Sequence, residues 1–258
     1  PSSSSTYPRL VNVMAQADAT IDEISAVIAS DPALSAKLLQ VVNSAFFGLP
    51  FKVASVPQAV SYLGLTSLRA LVLLSTVFSA ADSCATVEGF STGRLQRHSL
   101  LCARLARSLV IAPRSRDDAF TAGLLHDIGM LALAVGMNKR YSLALRHAER
   151  SRRPLAEVET SFLGTSHVAV GAYLADVWGL PDVVVEAIEL HHDEGEASEP
   201  HRDVVRAVRL AQAAAECLER GDHRFEGLDL TEEQRDRIDG EFSLADAMPR
   251  DKEPLLAI

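Results

Sequence analysis

Apolar side chains recur at three- and four-residue spacing along most of this 258-residue chain, and no window alternates apolar with polar as a half-buried strand requires. The stripe Leu34, Leu38, Val41, Val42 and Ala45 follows Asp31 and Pro32, a capping carboxylate with proline at the first helical position. Aromatic residues are only 5% of the chain while Ala, Leu and Val abound, which favours helix packed on helix. The expected class is therefore all-α. Thr20 with Glu23 reads as a capping box, and a short helix over Pro57 to Leu63 should stop at Gly64. Thr66 should open a long apolar helix to about Ala81. In the second half the pattern predicts helices over Thr92–Val110, Asp117–Ile128, Leu131–Arg152, Leu155–Leu163, His167–Trp178, Asp182–His192 and Arg202–Arg220, with one more start at Thr231 to Gln234. Pro154 and Pro181 stand at helix starts, Gly164 and Gly179 at helix ends. The small and polar segment from Asp82 to Gly93 suggests a boundary. The expected organisation is an N-terminal helical subdomain over 1–85, a second over 86–225, and a tail over 226–258 with a short helix.

Charge and length exclude several classes. A net charge of −9 repels phosphate backbones, so direct nucleic-acid binding is not expected. Cys84, Cys102 and Cys217 match no zinc-ribbon spacing and suit a reducing cytoplasm. The longest apolar run, Ala70 to Ala81, is shorter than the roughly 20 residues a membrane helix needs. A soluble cytoplasmic protein with no membrane partner is expected. The opening PSSSST, without initiator Met, reads as the start of a fragment whose missing part lies upstream.

One stretch carries unusual chemistry. Within Ala119 to Met130, AFTAGLLHDIGM, His126 stands beside Asp127 after an apolar run and before Gly129, which can take the left-handed conformation that ends helices. Neighbouring helical residues point about 100° apart, so an imidazole and a carboxylate there can both reach one ion at that edge. His98, His167, His191 and His192 lie on or beside apolar faces of three other helices, and with the pair they could surround a metal. His98 shares its face with Leu101, Cys102, Leu105 and Leu109 and so points inward. Each candidate also has a plainer reading. An inward histidine is commonly a hydrogen-bonded core residue. Asp127 can simply anchor the His126 ring. His191 and His192 close a helix whose C-terminal dipole favours protonated imidazole. The basic runs Lys139, Arg140, Arg146, Arg150, Arg152, Arg153 and Arg94, Arg97, Arg104, Arg107 read as solvated faces paired with acids.

Six blocks, taken in order, resemble the HDOD family, bacterial signalling modules related to HD-domain metal-dependent phosphohydrolases. They are IASDPALSAKLLQVVNSAFFGLP (28–50), VPQAVSYLGLTSLRALVL (56–73), HSLLCARLA (98–106), AGLLHDIGML (122–131), LGTSHVAVGAYLADVWGLPDVVVEAIELHH (163–192) and VRLAQ (208–212). The resemblance implies an all-helical fold in two subdomains. It places His98, His126 and Asp127 at the first ligand positions of the HD enzymes, and His167, His191 and His192 at positions that extend the site in two-metal relatives. The implied cofactor is a divalent ion, Fe, Mn, Zn or Mg. The last ligand of those enzymes, an Asp, falls here at Gln212, a neutral and weaker donor. Relatives that cleave cyclic dinucleotides carry a Lys after HDxG and a Gly-Tyr-Pro segment after the His-His pair; Met130 and residues 193–200 supply neither. Asn43 and the NSAFFG turn are read as a tight interhelical turn with Phe46, Phe47 and Phe51 as core anchors. The expectation is a regulatory output module without efficient catalysis, joined to an upstream receiver or sensor domain and acting through contacts with other signalling proteins. The alternative is a metal-dependent phosphohydrolase acting on a nucleotide or other phosphate ester.

Overall fold

The computed structural model describes residues 9–10, 12–13, 16, 20–31, 35–36, 38–39, 42–43, 52–64, 66–68, 70, 87–193, 195–222, 225 and 227–245, with side chains as far as residue 240. Among the described residues the secondary structure is helical and no strand occurs. Helix α1 (Ile21–Ala29) starts as expected: Thr20 Oγ1 accepts from Glu23 N at 3.2 Å, and Glu23 Oε2 accepts from Thr20 N at 2.9 Å. It buries Ile24, Val27 and Ile28. Of the expected stripe, Leu38 and Val42 are buried. Leu34, Val41, Ala45, the three phenylalanines, Cys84 and most of the Thr66–Ala81 helix fall outside the described residues, as does much of the boundary segment. Asn43 reaches ten residues along the chain rather than bonding locally. Its Nδ2 donates to Val53 O at 2.7 Å and its Oδ1 accepts from Val53 N at 2.6 Å, which satisfies both backbone groups of that residue. Residues 56–64 are helical and end at Gly64, whose φ of +71° needs glycine.

The rest of the fold is α2 (Thr92–Leu109), α3 (Arg116–Leu125), α4 (Ile128–Gly136), α5 (Asn138–Ser151), α6 (Leu155–Leu163), α7 (His167–Val177), α8 (Asp182–Glu189), α9 (Arg202–Glu219) and α10 (Glu232–Ala245). Gly164 and Gly179 take positive φ at helix ends, and Pro154 and Pro181 immediately precede α6 and α8, as expected. Three helix assignments change. The expected Leu131–Arg152 helix is two: Met137, with φ −131° and ψ 31°, separates α4 from α5. The Asp117–Ile128 helix stops at Leu125, so His126 and Asp127 form the turn into α4. The Asp182–His192 helix stops at Glu189, leaving His191 and His192 in the turn beyond it.

Gly129 lies inside α4 rather than ending a helix, and its φ is not positive. Its role is contact: a Cβ there would stand 1.9 Å from His167 O and 2.8 Å from Gly171 N. Gly123 does the same for α3 on α2, where a Cβ would stand 2.8 Å from Cys102 O. These two glycines let four helices converge on one point.

α2 packs on α3 and α9, α4 on α7, α5 on α6, α8 on both α3 and α7, and α10 on α2. One buried apolar cluster runs from Leu10, Ile24 and Leu63 through Leu105, Phe120 and Leu125 to Val208 and Ile238. Residues 113–136 are long and apolar enough to cross a membrane, but 78% of that window is buried in this core and the His126–Asp127 turn interrupts it. Of the arginine faces, Arg146 pairs with Glu88 at 3.0 Å, Arg153 with Glu157 at 3.2 Å and Arg107 with Asp117 at 3.6 Å. Arg104 departs from the expected solvated face and is buried.

Candidate metal centre

Every histidine singled out in the sequence reaches one locus, and Asp127 stands at its middle. One carboxylate oxygen, Oδ2, is 3.2 Å from His126 Nε2 and 3.9 Å from His98 Nε2. The other, Oδ1, is 3.6 Å from His167 Nε2 and 3.5 Å from His191 Nε2. His192 stacks against His191 with ring centroids 4.1 Å apart and is the exposed member of the set.

Ring orientation follows from what holds each Nδ1. His126 Nδ1 lies 2.8 Å from Gly123 O, and His191 Nδ1 lies 2.6 Å from Ile188 O. Both carbonyls belong to the last turns of helices, where no intrahelical N–H reaches them, and a histidine three residues on supplies the donor. His167 Nδ1 lies 2.6 Å from Glu159 Oε2, which also accepts His167 N at 2.7 Å. His98 Nδ1 lies 2.7 Å from Glu219 Oε1. Carbonyls and ionised carboxylates only accept, so each Nδ1 carries a proton and each Nε2 turns inward. The His126 ring is held at Nδ1 by Gly123 O, while its Nε2 faces Asp127 Oδ2 at 3.2 Å.

His126 Nε2, His167 Nε2, His191 Nε2 and Asp127 Oδ1 are buried and make no hydrogen bond of good geometry. Stranding four polar atoms in a core costs roughly 1–3 kcal/mol each unless something binds them. The spacing says what would. Two ligands of one tetrahedral ion with bonds of about 2.0–2.3 Å stand roughly 3.3–3.8 Å apart, close to the separations around both oxygens of Asp127. These residues therefore fit a divalent cation, with Nδ1 partners of the kind that orient metal-binding histidines.

The electrostatics agree. Burial alone would raise the Asp127 carboxyl; the imidazoles of His126, His191 and His167 outweigh it and hold the pKa well below the usual carboxylate range. Burial also pushes His167 down, but Glu159 and Asp127 raise it overall. His191 and His192 move the other way from the helix-dipole expectation. Loss of water on the side facing the cluster lowers both, His192 to about 3 although part of its side chain is exposed, with the neighbouring imidazoles adding to the effect.

Gln212 lies against His98. Its amide nitrogen donates to Glu216 Oε1 at 3.0 Å, which turns its Oε1 onto His98 Nε2 at 2.7 Å. His98 is thus spanned by acceptors. Burial disfavours its charged form, yet Cys102, Glu219 and Asp127 together raise its pKa. Cys102, one turn along α2, has its sulfur 3.5 Å from His98 Nε2 and 3.5 Å from Gln212 Oε1. A cavity of about 650 Å³ opens over the centre, with Phe90, Leu95, Met130, Leu145 and Leu155 in its wall. Glu159, Glu216, Glu219 and the two carbonyls escaped the sequence reading, although the three-residue step from carbonyl to histidine in both turns is a usable signal.

The sequence profile of the HDOD domain matches residues 1–194. The chain belongs to the HDOD family. A curated but uncharacterized protein of Treponema pallidum (strain Nichols) is 27% identical to this HDOD chain over 207 residues. The match covers 78% of this chain and 39% of that protein, so the chain spans about two-fifths of its relative's length. Among solved structures, a candidate phosphohydrolase from Shewanella amazonensis SB2B superposes on this HDOD chain with TM-score 0.62 and 25% identity, over 93% of this chain and 83% of its own. A candidate signal transduction protein from Marinobacter aquaeolei VT8 shares the fold with TM-score 0.68 and 24% identity, over 93% of this chain and 56% of its own.

Proposed function

We propose that this chain is a cytoplasmic regulatory output module that holds a divalent cation, Fe, Mn, Zn or Mg, at Asp127, His167, His191 and His192, and does not turn over phosphate esters efficiently. When bound, such a cation supplies Lewis acidity and a water of lowered pKa. The reading rests on the charge of the cavity above that centre. Its described lining carries the carboxylates of Glu216, Glu219 and Asp127, and its one guanidinium, Arg94, is 3.8 Å from Glu219. A phosphate ester would bring its own negative charge against those carboxylates, with the Arg94 guanidinium shared with Glu219. The state of an upstream receiver or sensor domain would instead pass, through the helices that carry the histidines, to contacts with other signalling proteins.

The cluster of histidines around Asp127 favours a second reading, a metal-dependent phosphohydrolase, and the Shewanella relative adds weight to it. Incubation of purified protein with Mn, Fe, Mg or Zn and a panel of nucleotides and phosphate esters separates the two. No turnover is expected. Turnover in the usual range of about 1 to 1,000 per second, abolished by His126→Ala with Asp127→Ala, would overturn the regulatory reading.

A further inference from the structure

We propose that Cys102 is a metal ligand: with His98 Nε2, His126 Nε2 and Asp127 Oδ2 it forms a second, thiolate-containing cation site that selects a soft ion such as zinc. This rests on the reading that the pocket holds a divalent cation at all. It concerns the opposite side of Asp127 from the His167 and His191 rings.

The geometry carries it. Among the described residues, His98, Cys102 and His126 present donor atoms that all lie within 4.8 Å of one another, and all three are buried. The His98 Nε2 to Cys102 Sγ separation of 3.5 Å is the edge of a tetrahedron around one ion. His126 Nε2 points at the same volume with no hydrogen-bond partner of its own, and the His126 ring is fully buried. Asp127 Oδ2 lies 3.2 Å from His126 Nε2 and 3.9 Å from His98 Nε2, beside the same volume. Glu219 on His98 Nδ1 and Gly123 O on His126 Nδ1 leave both Nε2 atoms facing in.

Charge explains why a sulfur belongs there. With Gln212 at the position of the last carboxylate ligand, His98, His126 and Asp127 offer one negative charge, and a coordinated thiolate restores the second. A bound cation deprotonates a coordinating thiol outright. The Cys102 proton and the Nε2 proton of His98 leave to solvent as the ion enters. Sulfur also changes selectivity: a Cys-His-His-Asp set prefers zinc over magnesium, whereas Asp and His alone do not discriminate as sharply. Cys102 follows His98 by four residues, so one turn of α2 delivers both donors to the same face.

Titration of the metal-free protein with cobalt(II) tests this directly, because cobalt bound to thiolate shows a near-ultraviolet sulfur-to-metal charge-transfer band that nitrogen and oxygen ligands do not give. The wild-type protein should show that band, and zinc should displace it. Cys102→Ser should abolish the band and weaken binding of that ion by at least about 100-fold, beyond the cost of losing an orienting partner. It should leave a second cobalt ion bound. Cobalt binding without the band in the wild type would overturn the cysteine assignment while leaving the cation reading intact. An absence of any cobalt or zinc binding would overturn both. The wild-type spectrum decides the matter even if Cys102→Ser folds poorly.

Discussion

Gly129→Ala tests the convergence of helices on which the whole centre depends. The added methyl would stand 1.9 Å from His167 O and 2.8 Å from Gly171 N, both backbone atoms that cannot swing aside like a side-chain tip. The closest ordinary C···O approach is about 3.3 Å, so α4 and α7 must part by about 1.4 Å along that line. Overpacking a tight core usually costs about 1–3 kcal/mol, and a backbone-on-backbone clash belongs at the upper end. Helix propensity pulls the other way by about 1 kcal/mol, since Ala is the better helix former. A net loss of about 2 kcal/mol follows, worth roughly 4–8 °C in a protein of this size. Gly136→Ala is the matched control, because no atom lies within 4 Å of a Cβ there and the residue is the last of the same helix. It should be neutral or stabilising by up to about 1 kcal/mol. Urea unfolding of both variants beside the wild type measures the difference. The same displacement moves His167 off Asp127, so cation affinity in Gly129→Ala should fall with stability. If Gly129→Ala unfolds at the wild-type midpoint, the close approach of α4 and α7 is wrong, and with it the placement of His167.

Two further substitutions probe what surrounds the ligands. Glu159→Gln keeps the shape of the side chain that accepts both His167 N and Nδ1 but removes its charge, so cation affinity by calorimetry should drop about 10- to 100-fold while the fold survives; an unchanged affinity would remove His167 from the ligand set. Glu186 lies outside the centre and reports on acid stability. Its hydrogen bond from Ser198 N, then the Ser198 hydroxyl and His201, lower its pKa from 4.5 to about 2. A depressed folded-state pKa means its contribution is complete above pH 4.5 and is lost as the pH falls through about 2. Partial exposure limits that contribution to less than about 1 kcal/mol. Glu186→Gln should therefore be less stable than the wild type at pH 7 and equal to it near pH 2; a gap that persists in acid would assign the effect to packing instead.

Much of the local structure was legible from residue types. The capping box at Thr20, the stops at Gly64, Gly164 and Gly179, and the starts after Pro154 and Pro181 each depend on chemistry within one turn of the chain, and each stands where that chemistry put it. At Gly129 a distant contact decided. Gly129 carries the same residue type whether it ends a helix or admits a neighbouring backbone, and only the arrival of α7 distinguishes the two. The contact of Asn43 with Val53, ten residues on, likewise lies beyond one turn of the chain.

The donor set at the centre was likewise readable as a list, because imidazoles on apolar helical faces and an adjacent carboxylate are rare enough to stand out. Periodicity assigns a side chain to a face; it carries no distance between faces on different helices. Only the folded chain decides that Asp127 lies between two groups of histidines, that Glu159 and Glu219 set the rings of His167 and His98, and that Gln212 turns its oxygen inward because Glu216 holds its nitrogen. The amino-acid sequence by itself determined that this chain is helical and which histidines and carboxylate stand as candidates for an ion, since those properties reside in single turns. Which of them face one another, and with what charge between them, was decided by the close packing of α2, α3, α4, α7 and α9, where the partners come from positions up to 121 residues apart and a glycine sets the gap.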